Sequence, residues 1–193
     1  MAYTTAVIQS YSGAKPNPKL VHDLTAGVVA GQIAGLIMAV LLMLAFTVFR
    51  GKGPAFPAQV VGALFFDDSA LQDFHAPVLF CGLVVHQLGP ALFWGAVFGL
   101  LVHALQQSYE LNLVRLGIAV GLLSQIVDVN LILPHVMKAL YGHDIWAEQV
   151  PIFWSWAAHL DFGLSLAVFP WAFHRLAPHF ASGSPRSVYE LTA

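Results

Sequence analysis

The sequence predicts an all-α integral membrane protein: a four-transmembrane-helix bundle with a short interfacial helix between spans one and two. Three observations predict it. Of the 193 residues 58% are hydrophobic and only 9% are charged, against about 25% charged in soluble domains. Mean hydropathy is +0.73. Four apolar runs, residues 24–49, 77–105, 116–136 and 151–173, each approach or exceed the ~20 residues that cross a ~30 Å hydrocarbon core. They leave no room for a separate soluble domain. The chain therefore divides into an N-terminal arm (1–23), a transmembrane domain (24–176) and a polar tail (177–193).

Each element has its own justification. Pro16 and Pro18 predict an irregular arm, and no apolar core with a cleavage site precedes the first span, which is expected both to target the chain and to stay. Asp23 or Thr25 is placed to cap that span. Gly27, Gly31 and Gly35 lie at four-residue spacing on one face, a pattern that lets a neighbouring helix approach closely in lipid. Gly95/Gly99 and Gly117/Gly121 repeat it in spans two and three. Ordinary packing within the chain is the expected use, ahead of a homodimer face. Residues 56–71 are apolar but too short to cross, then turn acidic at Asp67, Asp68 and Asp73, as suits a helix at the membrane surface. Pro77 fits the first turn of span two. The short polar link 106–112 makes spans two and three antiparallel neighbours. Trp146, Trp154 and Trp156 suit an interfacial aromatic belt.

Lys15, Lys19, Arg115, Arg175 and Arg186 fall on the side of the termini, against Arg50, Lys52 and Lys138 opposite. That bias predicts both termini in the cytoplasm. A net charge of -2 argues against a nucleic-acid partner. The lone Cys81 can form neither an internal disulfide nor a cysteine metal site, and reads as a small buried apolar residue. No phosphate-binding glycine loop, zinc-protease pair or nucleophile elbow is present, and Ser124, Ser155 and Ser165 lack a triad.

What remains is a set of polar residues inside the apolar runs, where an ionisable group is expensive unless paired or hydrated. His86 lies ~13 Å along its helix from Pro77, His159 ~12 Å from Pro151, and Asp128 ~12 Å before Val136. These three are expected at one level in the outer half of the bilayer. Gln125, Asp128 and His135 fall on one α-helical face at i, i+3 and i+10. Pro90 removes the donor for the His86 carbonyl, predicting a freed acceptor and a kink there.

Four chemistries fit these residues. His86 and His159 could ligate one haem b or line a quinone pocket; the spacings of His86/His103 and His159/His174, 17 and 15 residues, turn each pair ~100° and ~60° apart and argue against two haems. His86, Asp128, His135, His159 and Asp161 could ligate a metal ion, although His159 and Asp161 are about 200° apart on one helix. Gln125, Asp128, His159 and Asp161 could relay protons. The fourth reading is hydrogen bonds that hold helices together. His22, His103, His174 and His179 read as ordinary interfacial residues, and His75 and His143 as solvated.

Spans one plus two and three plus four show faint self-similarity, His86…Gly89 matching His159…Gly163. Residues 27–43, the pattern His86-Gln-Leu-Gly-Pro-Ala-Leu-Phe-Trp-Gly-Ala-Val-Phe-Gly and His159-Leu-Asp-Phe-Gly resemble the uncharacterised bacterial four-span proteins of the YagU-like kind. The resemblance implies a bacterial inner-membrane location; Asp128 and Asp161 are additional to its pattern. The expectation is an accessory subunit of a larger membrane complex, respiratory or otherwise electron-transferring, and not an enzyme on its own. Its partners would be lipids and other integral membrane subunits, and its periplasm-facing His86, Asp128 and His159 would hold a cofactor, quinone or protons. A small proton or metal-ion transporter or channel and a single-haem electron carrier are the alternatives.

Overall fold

Pro18 opens the first helix rather than breaking it, because a first-turn position needs no N–H donor. In the computed structural model, which describes residues 17–106 and 110–180, α1 spans Pro18–Arg50, with the Asn17 side chain accepting from the Lys19 N–H at 3.1 Å. The first span therefore starts earlier than residue 24, while residues 1–16 of the expected arm and 181–193 of the expected tail lie outside the described residues. Asp23 lies inside α1, not at its start, and is fully buried. Gly51, at φ 60°, closes α1 in the left-handed conformation that glycine adopts without strain.

Helix α2 (Phe56–Phe66) is followed by a 3-10 turn, Asp68–Leu71. Its small-residue face is covered by protein: a Cβ at Gly62 would stand 2.8 Å from Val78 Cγ1, and one at Gly82 would meet the Ala58 backbone. The pairing of 58 with 82 and 62 with 78 runs α2 antiparallel along the N-terminal turns of the second span. Gln59 Nε2 then donates to the carbonyls of Ala70 (3.2 Å) and Asp73 (3.0 Å), tying the acidic turn to α2.

Three more helices are long and apolar enough to span: α3 (Ala76–Leu105), α4 (Leu113–Tyr141) and α6 (Ile152–Phe180). A short α5 (Ile145–Gln149), capped by Asp144, joins the last two. No strand occurs among the described residues, so the all-α four-span fold is established. Pro77 sits in the first turn of α3, and Asn112 caps α4 by accepting from the Arg115 N–H at 3.0 Å.

Glycine seams pair the spans. A Cβ at Gly27 would stand 2.5 Å from the Gly95 carbonyl oxygen, and one at Gly163 would stand 2.5 Å from that of Gly117. The α1–α3 and α4–α6 backbones are therefore nearly in contact, and the glycine faces are consumed inside the chain. Helix α1 also packs against α6: His22 Nε2 donates to the Phe173 carbonyl at 2.9 Å, and Phe49 stacks on Trp154 at 5.4 Å. Outward faces carry large apolar side chains such as Val48, Phe80 and Phe153, each about two-thirds exposed, as lipid contact requires.

Three spans are not α-helical throughout: α6 tightens to a 3-10 turn at Leu166–Val168, and α3 and α4 widen. Gln87–Ala91 in α3 and Gln125–Ile132 in α4 are π-helical, and both coincide with the polar residues of those spans. Wider i→i−5 bonding adds a residue to the turn and rotates the rest of the helix about its axis.

Candidate functional site

Polar groups within the spans form two internal networks. In the first, Gln32 and Gln87 bond reciprocally: Gln32 Nε2 donates to the Gln87 carbonyl at 2.7 Å, and Gln87 Nε2 to the Gln32 carbonyl at 3.1 Å. His86 Nδ1 donates to Gln87 Oε1 at 3.2 Å. The carbonyl captured from the Pro90 region by another helix is thus that of Gln87, not that of His86. Gly35 makes the notch that admits these side chains to α1, since a Cβ there would stand 2.6 Å from Gln87 Oε1 and 3.5 Å from His86 Cε1.

The second network joins α4 to α6. Ser155 Oγ donates to Gln125 Oε1 at 2.8 Å, and Gln125 Nε2 donates to Asn130 Oδ1 at 3.1 Å. His159 Nδ1 donates to the Ser155 carbonyl at 2.8 Å. Gln125, Ser155 and His159 are all buried. Each histidine therefore spends Nδ1 on a local oxygen, which fixes the tautomer and leaves Nε2 with its lone pair outward, the orientation of a ligating imidazole. His86 in α3 and His159 in α6, from different halves of the chain, thus each keep Nδ1 occupied and Nε2 unprotonated.

Asp128, His135 and Asp161 do not join them. Trp94 Nε1 donates to Asp128 Oδ2 at 2.6 Å, and Trp94 is eight residues beyond His86, ~12 Å further along α3. His135 is exposed and bonds the Leu131 carbonyl at 2.6 Å. The reason is the π segment: an α-helical period places Gln125 and His135 on one face, but the wider turns between them leave Gln125 buried and His135 outside. Asp161 is half-buried with Oδ2 unpartnered, on the far side of α6 from His159. Among the described residues no three of His, Cys, Asp and Glu converge to hold a metal ion, so the five expected ligands do not form a centre. Nor do the described hydrogen bonds connect Gln125, Asp128, His159 and Asp161 into a relay.

A cavity adjoins His86. It is about 40 Å³ and is lined by Met38, Leu42, Val61, Leu83, His86 and Trp146 among others. That is close to the ~30 Å³ share of one water and far below the roughly 300 Å³ or more that ring-sized ligands occupy. As it stands it takes an ion or a water, not a haem or quinone ring.

A third polar group lies at the end shared by the start of α1 and the end of α3, where the sequence suggests only a cap and an interfacial histidine. His103 Nδ1 donates to Asp23 Oδ2 at 2.7 Å and Gln106 Nε2 to the same oxygen at 2.9 Å. Asp23 is fully buried, and its Oδ1 has no partner. An apolar layer separates this group from the histidine pair: Ala30, Phe98, Val120, Phe162 and Leu166 are each at most 3% exposed.

No family model, curated protein or solved structure matches the chain, so the site stands on its own geometry.

Proposed function

We propose that the protein is an accessory, non-enzymatic subunit of a larger membrane complex of respiratory or other electron-transferring type. Its place would be a bacterial inner membrane with both termini cytoplasmic, the orientation that the Lys and Arg distribution favours. The observation that supports this reading is the placing of His86 (partly buried) and His159 (buried) next to an apolar layer instead of a continuing polar path. Such a site holds something and does not pass it through the membrane. A transporter or channel would need the pair to connect with the Asp23–His103 group, and Phe98, Phe162 and Leu166 stand between. A holding site in a chain that lies almost wholly within its spans needs a partner to act on what is held.

The test is purification in mild detergent, after crosslinking in intact membranes. The expected particle is several times the 20.9 kDa chain, with other integral membrane proteins at fixed stoichiometry and a redox-active absorbance spectrum. A monodisperse, colourless monomer from crosslinked membranes would overturn the reading.

A further inference from the structure

Methionine is scarce here, four residues in 193, yet three of the four gather in one place. Met38 and Met43 line the ~40 Å³ cavity together with His86 and Trp146. Met137 lies beneath, its Sδ accepting the Trp146 backbone N–H at 3.3 Å. Helix α1 contributes Met38 and Met43 to the lining, α2 contributes Val61 and α3 contributes His86. Methionine commonly serves as adaptable filling in a core. Here, however, these two thioethers border a small cavity.

We propose that Met38, Met43 and His86 form a binding site for a single soft monovalent cation, Cu(I), in the cavity walled by Trp146. Size, donor chemistry and charge each point the same way. The cavity has room for an ion. Thioether sulfur is a poor ligand for hard cations, which take oxygen, and selects soft ones such as Cu(I), while imidazole suits copper as well. His86 presents Nε2 because Nδ1 is committed to Gln87 Oε1. No carboxylate lines the cavity, so a divalent ion would be buried without compensating charge at a large cost. A single positive charge shared with polarisable sulfur is the species this wall can carry.

This deepens the proposed function by naming what the His86 side of the pocket holds, and copper binding and subunit assembly are separately measurable, so either can fail without the other. The experiment titrates the detergent-solubilised, tag-free chain with Cu(I) against a colorimetric Cu(I) chelator. One equivalent per chain is expected, with sulfur and nitrogen neighbours in the copper absorption edge. Met38→Leu and Met43→Leu keep volume and fold and should each weaken binding at least about tenfold, as should His86→Ala. His75→Ala, at an exposed histidine, should leave it unchanged. Failure of the chain to compete with the chelator, or equal affinity in the Met38→Leu/Met43→Leu double variant, or equal loss in His75→Ala, overturns the site.

Discussion

Gln125 is a fully buried amide in the middle of a span, tolerable only because its oxygen and nitrogen are both bonded. Ser155 Oγ supplies the donor for the oxygen. Ser155→Ala removes it and leaves a buried acceptor unpaired, which should cost about 0.6–2 kcal/mol, the range for interhelical bonds in lipid. Denaturant unfolding in mixed micelles measures this, and Ser155→Thr should recover most of the loss. At the membrane surface, Asp67 behaves differently. Its carboxylate accepts from the Ser69 N–H at 2.8 Å, and bonds to Ser69 hold its pKa below the ordinary 3.8. A depressed folded value means the group supports the Asp68–Leu71 turn above the usual carboxylate range and stops doing so as pH falls through the folded value. NMR titration of the Asp67 carboxyl should show a midpoint below 3.8, and Asp67→Asn should remove the acid-linked change in that turn.

Among the elements, the glycine seams make the sharpest distinction. At Gly163 an added methyl would stand 2.5 Å from the Gly117 carbonyl, which is backbone and cannot step aside, whereas at Gly89 it would meet nothing within 4 Å. Gly163→Ala should destabilise by about 1–3 kcal/mol through forced separation of α4 and α6, and Gly89→Ala should be neutral or slightly stabilising. Thermal unfolding of the two variants side by side checks both. These seams were legible in the sequence, and more was written there than the glycines alone. Extending each face by four residues passes through Asp23-Gly27-Gly31-Gly35, Gln87-Ala91-Gly95-Gly99-His103, Gly117-Gly121-Gln125 and Ser155-His159-Gly163. Four of the seven buried polar residues among those described, Asp23, Gln125, Ser155 and His159, lie on these lines. Reading Asp23 as a cap and His103 as interfacial missed that they continue opposing glycine faces and so had to meet. The π segments were not legible in the same way. Pro90 and Pro134 announce a disturbed ladder but not which turn widens, and Gln125–Ile132 turned His135 outward where an unbroken α-helix would have kept it with Gln125.

At the scale of the whole molecule, two glycine-paired halves, α1 with α3 and α4 with α6, meet along α1 and α6. The faint internal similarity between the halves placed His86 and His159 in corresponding positions, one in α3 and one in α6. The expected level for Asp128 was not reliable, because depth counted along a helix ignores crossing angle and Trp94 captures its carboxylate. The account rests on the meeting of the two halves at His86 and His159, and the most direct measurement is a crosslink between those positions in intact membranes. His86→Cys and His159→Cys, in a Cys81→Ala background with a protease site in the link between α3 and α4, would be treated with a short bifunctional thiol reagent and then cleaved. The account predicts that the two fragments stay joined, while a Phe80→Cys/His159→Cys pair, with Phe80 70% exposed, lets them separate. Separation of the His86→Cys/His159→Cys fragments as well would contradict it.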